Sequence, residues 1–313
     1  MIRIGVVNID VSHPLAFSEI LLRENRARYA AVYNDGFRGD DEVGAFIEKR
    51  GLERRCATVE ELAECVDIGF VQGCNWDKHI RYAMPFIERG KPVFIDKPVA
   101  GNLRDLNRLV ELSRQGAVIL GSSSLRYAEE IASFVNRPAS ERGEVVNVFG
   151  TCGIDEFNYG IHVVESICAL IDSPAKAVRY AGAGSVGGTL CESYTVSFES
   201  GATATYHTMN GPWMPCWFLV TTTKGVTHVD VDVSKVYKSM LDRICDTMET
   251  GVNRLATVEA LCHAVKIMLA GRLSKLNGGA AFALSDIPED DPGYDGALFE
   301  AGYAAAARKI YLG

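Results

Sequence analysis

The sequence has no surplus of basic charge: 32 Lys and Arg stand against 40 Asp and Glu, a formal net charge of −8 with neutral histidines. Non-specific nucleic-acid binding needs a basic surface to neutralise phosphates, so no nucleic-acid partner is expected. A local pocket for one small anion stays open. No run approaches the roughly 20 apolar residues that a membrane span requires, and the N-terminal MIRIGVVNID turns polar too soon for a signal peptide. The nine cysteines, from Cys56 to Cys262, include no C-x-x-C pair. An odd number cannot all pair and no zinc spacing appears, so they read as small buried hydrophobes in a reducing cytoplasm. A cytoplasmic protein is expected, without a metal site: Asp10 and His13 alone make a poor ligand set. Internal repeats, low-complexity stretches and long charge runs are also absent.

What is present is regular alternation. Ile2 to Val7 is apolar throughout, as a strand buried on both faces is. Further strands read at Tyr29 to Tyr33, Ile68 to Val71, Pro92 to Ile95 and Ala117 to Leu120. Helical patterns fall between them at about Pro14 to Glu24, Asp41 to Arg50, Lys78 to Arg89 and Leu103 to Arg114. Thr58-Val-Glu-Glu61 has the capping-box form and starts another short helix. Such alternation with short connections predicts a Rossmann-like, doubly wound parallel sheet, with a crevice at the carboxyl ends of its strands.

The pattern changes near residue 123. Glu144 to Gly150, Ser193 to Phe198, Ala202 to His207, Phe218 to Thr223 and Val226 to Val233 read as strands, the last four as two hairpins. Val236 to Met248, Val258 to Leu273 and Ala297 to Ile310 read as helices. The chain is thus divided into a nucleotide-binding domain at 1–123 and an α+β substrate and oligomerisation domain with an open antiparallel sheet at 124–313.

The fourth strand ends in Asp96-Lys97-Pro98, and a Lys at that place points into the crevice. After a helix and a strand comes Leu125-Arg126-Tyr127. Farther on, Phe157-Asn158-Tyr159-Gly160-Ile161-His162 opens an apolar helix. Together these resemble the glucose–fructose oxidoreductase/inositol dehydrogenase (Gfo/Idh/MocA) family, with E-K-P and D-x-G-x-H replaced by Asp96-Lys97-Pro98 and by Asn158, Gly160 and His162. Cys74-Asn75-Trp76-Asp77-Lys78-His79 resembles the family loop whose His lines the nicotinamide side.

The resemblance implies an oxidoreductase that uses NAD or NADP and acts on a small-molecule sugar, polyol or related cyclic alcohol. His162 would be the acid/base and Lys97 the cation that stabilises a developing alkoxide. Asn158, Arg126 and Tyr127 would contact substrate, and Asn75, His79 and Asp96 would border the cofactor. A homodimer or homotetramer is implied as well. Trp213, within Asn210-Gly-Pro-Trp213-Met-Pro-Cys-Trp217, either lines the substrate pocket or forms an oligomer contact.

The first turn departs from the family. Where a dinucleotide fold has G-x-G-x-x-G, this chain has Asn8, Asp10 and His13. Asn8 tolerates a left-handed turn. A carboxylate at Asp10 would repel a pyrophosphate by about 4 kcal/mol at 4 Å and an effective dielectric of 20, unless it turns away, as in capping the helix at Pro14. Ser12 and His13 would then donate to phosphate. Asn34 stands at the second strand end, where the ribose-binding acid is expected, and Asp35 follows it; Asp35 on the ribose implies NAD, Arg38 on a 2′-phosphate NADP. Two other readings remain: a non-redox lyase, epimerase or hydrolase using Lys97 and His162, and a non-catalytic small-ligand-binding protein.

Overall fold

The computed structural model describes residues 1–121 and 123–312. Six parallel strands form the first sheet: β1 (Ile2–Val7), β2 (Ala27–Tyr33), β3 (Arg54–Arg55), β4 (Ile68–Val71), β5 (Val93–Ile95) and β6 (Ile119–Gly121), in the order β3-β2-β1-β4-β5-β6. Ile4–Val7 and all of β4, β5 and β6 are buried, as their unbroken apolar runs predict for a sheet covered on both faces. Registers Val7↔Val71, Val71↔Ile95 and Ile95↔Gly121 bring four strand ends to one edge. The segments that follow Val7, Val71, Ile95 and Gly121 are thereby gathered together. The capping box forms, with Thr58 accepting from the Glu61 N–H at 3.1 Å.

The second sheet has seven strands: β7 (Val145–Cys152), β8 (Ala175–Val186), β9 (Thr189–Phe198), β10 (Thr203–Asn210), β11 (Trp217–Thr222), β12 (Gly225–Asp230) and β13 (Phe282–Ala283), in the order β12-β11-β7-β10-β9-β8-β13. It is mixed rather than wholly antiparallel, because β7 and β10 pair in parallel. The chain leaves β7 through the helix Gly160–Ile171, turns through β8 and β9, and returns alongside β7 in its original direction. That helix lies on β7. Their close approach needs Gly150, where a Cβ would sit 2.8 Å from Val163 and Phe218. The helix Val236–Thr250 crosses back to the first unit, and its Met240, Leu241 and Ile244 join a core with Ile4, Phe17 and Phe94.

The last segment also returns. The expected helix at Ala297 to Ile310 is shorter, Gly296–Ala306, and it packs beside the loop after β4. Residues 307–312 run onward to the loop after β1, where Tyr311 is buried. Among the described residues no helix is long and apolar enough to cross a membrane.

Candidate active site

Asp96 follows β5 directly and is buried, with Oδ1 accepting from the Lys97 N–H (2.8 Å) and Oδ2 from His13 Nδ1 (2.6 Å). Lys97 Nζ donates to Asn158 Oδ1 (2.8 Å) and to the Asn158 carbonyl (3.0 Å), and lies 5.2 Å from the centre of the Tyr159 ring. His162 sits in the first turn of the helix Gly160–Ile171. Its Nδ1 is 2.5 Å from Ser123 Oγ, and the Ser123 N–H donates to the buried Glu165 carboxylate. His13, Lys97, Tyr159, His162, Trp213 and Tyr237 share a cavity of about 260 Å³ between the two units.

Burial, then the positive charges of Lys97 and His13, hold the His162 imidazole well below its usual pKa. It is therefore neutral near pH 7, the form a base needs. Burial also lowers the Lys97 ammonium, while Asp96, Asp155 and Glu165 pull the other way. For Asp96, burial pushes up, but His13 and Lys97 prevail and hold it below the ordinary carboxylate value. The core of the site is thus an ion-paired Asp96 beside a cation and a neutral base.

The expected site residues divide. Lys97, His162 and Asn158 come together, and Trp213 stands at the rim with 54% of its surface exposed. Arg126 and Tyr127 do not join them: Arg126 donates to the Glu165 carbonyl, while the Tyr127 hydroxyl accepts from the Ala256 N–H in a separate groove. His79 is buried between the Gly73 and Val99 carbonyls and pins the loops after β4 and β5 instead of lining the cavity. His13, bonded to Asp96 and stacked on Phe17, borders both the cavity and the space beside Val11, Ser12, Gly73 and Cys74. Ser123, Tyr159 and Tyr237 were not anticipated. Only Tyr159, beside Asn158, carried a signal in the sequence.

At the first turn Asn8 adopts φ 64°, the left-handed conformation a glycine would supply, and its Oδ1 accepts from the Asp35 N–H. Asp10 caps no helix: its fully buried carboxylate reaches across to the loop after β4, accepting from the Cys74 N–H at 3.1 Å, and lies within 4.8 Å of Glu300. A Cβ on Gly36 would overlap that carboxylate, so the second loop needs a glycine there. Burial raises the Asp10 carboxyl to about 6. Asn34 bridges the Ile9 N–H and the Arg38 carbonyl, which leaves Asp35 as the exposed carboxylate at the end of β2, accepting from Tyr82 at 2.5 Å. Arg38 is spent internally on the Asp10 carbonyl, Glu42 and the Arg308 carbonyl. Asn75 caps the turn Trp76–Lys78 and donates to Glu300.

These residues fit a dinucleotide at the level of donors and acceptors. The turn is left-handed without glycine, and the helix His13–Glu24 begins at an exposed Ser12 with no side-chain cap on its N–H groups. Asp35 stands where a ribose would be held. Room is another matter. The C-terminal segment lies in the same crevice, with Tyr303 lining the space left beside Val11, Ser12, Gly73 and Cys74. Asp10, Cys74 and Glu300 also bring ligand atoms within 4.8 Å of one another. Burial keeps the Cys74 thiol protonated and Glu300 is engaged by Asn75 and Lys78, so the set is poorly suited to a metal.

Residues 4–123 match the Gfo/Idh/MocA family model, described as an oxidoreductase family with an NAD-binding Rossmann fold. A protein of Amycolatopsis mediterranei (strain S699), described as the oxidoreductase subunit of a UDP-kanosamine synthase, is 29% identical over 104 residues; the match spans 33% of this chain and 28% of that relative's length. Among solved structures, a Thermotoga maritima protein described as a probable dehydrogenase superposes with a TM-score of 0.78 at 17% identity, covering 91% of this chain and 100% of its own. The myo-inositol dehydrogenase of Lactobacillus casei, solved with NAD(H) and myo-inositol, gives 0.78 at 13% identity, over 90% of this chain and 96% of that one. At such identities the superpositions establish a shared fold. The chain has the two-sheet fold of these dehydrogenases, and its residues 4–123 are similar to the NAD-binding part of the Gfo/Idh/MocA oxidoreductase family.

Proposed function

We propose that the protein is an NAD(P)-dependent oxidoreductase acting on a secondary alcohol or ketone of a polyol, sugar or related cyclic compound. The reading rests on the meeting of Lys97 and His162 in one cavity at the carboxyl end of β5, with Asn158 bonded to Lys97 behind it. With Nδ1–H donating to Ser123, His162 turns the Nε2 lone pair to the cavity and accepts the hydroxyl proton. Lys97 has three N–H donors and gives two to Asn158, leaving one for the substrate oxygen as negative charge develops on it. A bound nicotinamide supplies the hydride exchange at carbon. The exposed Asp35 and the internally committed Arg38 favour NAD over NADP.

A second reading draws on the His13–Asp96 pair, which adds another imidazole to the cavity. Two imidazoles flanking a substrate suit epimerisation or elimination without hydride transfer. The test uses a panel of cyclitols and sugars deuterated at the carbinol carbon. Transfer of deuterium to added nicotinamide is expected. Exchange of substrate C–H in D₂O without nucleotide, and no transfer to NAD or NADP, would overturn the redox reading in favour of the second. We also read the outer face of the second sheet, where the rings of Phe149, His207, Trp217 and His228 meet edge-on or tilted, as a contact between copies of this chain. Light scattering should then report a dimer or tetramer, and a monomer would refute it.

A further inference from the structure

In a sheet of order 3-2-1-4-5-6 the strand order reverses between β1 and β4, and the crevice outside their carboxyl ends is the dinucleotide position. Its walls here are the loops after β1, β2 and β4, and residues 296–312 are tied to all three. On the β4 wall, Glu300 accepts from Asn75 (2.9 Å) and pairs with Lys78 (3.1 Å), while Phe299 packs 4.9 Å from Trp76. On the β2 wall, Tyr303 faces Phe37 at 6.0 Å and the Arg308 carbonyl accepts from Arg38 at 2.6 Å. On the β1 wall, the buried Tyr311 donates to the Val11 carbonyl at 2.8 Å, with its ring against Phe46.

The space left under Tyr303 is about 50 Å³, whereas pockets for small molecules run to about 300–1,000 Å³. A dinucleotide and this segment cannot share the crevice. Tyr311 joins the segment to the core, against which Ile310 and Phe299 also pack. Within residues 296–312 only Gly296 and Tyr311 are buried, and the helix Gly296–Ala306 is otherwise half-buried or exposed. An element held by a few polar ties and one buried ring opens locally, well below the cost of unfolding the chain.

We propose that residues 296–312 form a strap that closes the dinucleotide crevice and lifts, with Tyr311 as its latch, when a dinucleotide binds. This rests on the dinucleotide reading given above. Because nucleotide binds only the open state, the closed population raises the apparent Kd in proportion.

The test compares the full-length chain with a full-length Tyr303→Ala/Tyr311→Ala variant, titrating each with NADH by nicotinamide fluorescence. Hydrogen exchange of amides 296–312 is followed in both, with and without NADH. The unaltered chain by itself decides the matter if the variant folds poorly, because saturating NADH should accelerate exchange throughout the segment. The expected result is at least tenfold tighter NADH binding by the variant, together with that acceleration in the unaltered chain. Equal affinities, with exchange of the segment unchanged by saturating NADH, would overturn the strap and leave the dinucleotide reading standing. No NADH binding by either protein, with the segment exchanging freely in the variant, would overturn both.

Discussion

The ends of β1 and β5 lie two strands apart on one sheet edge and are joined by the His13–Asp96 hydrogen bond, yet their polar groups are used in opposite ways. At β5, capacity is left over. Lys97 has a donor to spare, His162 has a ring nitrogen free of Ser123, and both line an open cavity. At β1 the same kinds of group are largely consumed: Asn8 by the Asp35 N–H, Asn34 by Ile9 and Arg38, Asp10 Oδ2 by the Cys74 N–H, with Oδ1 sealed in without a hydrogen bond, and Arg38 by two carbonyls and Glu42. Spare hydrogen-bonding capacity facing empty space distinguishes a reacting site from a scaffold. Polar residues at the first turn replaced glycine by bonding to one another.

The largest effect expected of this contrast is on turnover. Lys97→Met and His162→Ala should each lower kcat/KM by about 10²–10⁴, while Asn34→Ala, on the consumed side, should act on stability instead. Steady-state kinetics beside thermal unfolding separates the two. Retention of full activity by both cavity variants would break the comparison at its stronger half.

Asp10 sharpens the other half. Its folded pKa of about 6 lies above the ordinary 3.8, so between those values the folded chain holds a proton that the unfolded chain has released. Stability from this group is therefore full below pH 3.8, falls as pH rises towards 6, and stays lost above it. Asp10→Asn removes the charge while keeping an acceptor for Cys74. It should gain up to about 3 kcal/mol at pH 7.5 and less than about 1 kcal/mol at pH 4. Urea unfolding at the two pH values measures this. Equal gains at both would show that the buried carboxylate carries no ionisation cost.

His162 gives a smaller, pH-dependent prediction. Because its folded pKa lies well below 6.5, kcat/KM should lack an acid limb near pH 6.5. The unfolded chain gains a proton as pH falls through 6.5 and the folded chain does not, so this group subtracts from stability on acidification. Replacing Ser123 by Ala removes the group that orients the ring, and should lower kcat more than it raises KM.

Much of this was legible in the sequence, for identifiable reasons. The first sheet is an alternation of apolar strands and capped helices, and the Asp96-Lys97-Pro98 and His162 positions follow from strand ends and helix starts. β8 was not legible: Ala181 to Val186 is small and mostly exposed, so it lacks apolar alternation, and its pairing comes from β9 through a turn at Gly187 and Gly188. The His13–Asp96 bond was not legible either, because it joins residues 83 positions apart and local spacing says nothing of it. The strap was hidden for the same reason. Phe299 and Tyr303 share a helix face, but nothing local says which surface that face meets.

The smallest expected effect lies where sequence and structure part over a single hydroxyl. Tyr127 follows Arg126 in a stretch that resembles a substrate-contacting segment, but its hydroxyl accepts from the Ala256 N–H and its ring lies under Arg243 at 5.3 Å. Tyr127→Phe leaves that N–H without its acceptor in a half-buried place, which should cost about 1–2 kcal/mol of stability. KM and kcat should each change less than twofold, because no atom of Tyr127 borders the cavity. Trp213→Ala is the matched control: half-exposed at the rim, it should raise KM severalfold with little change in stability. If Tyr127→Phe instead raised KM as Trp213→Ala does, the substrate would have to extend past Leu125 into the neighbouring groove. The division of the edge into one reacting cavity and one filled crevice would then need a third compartment.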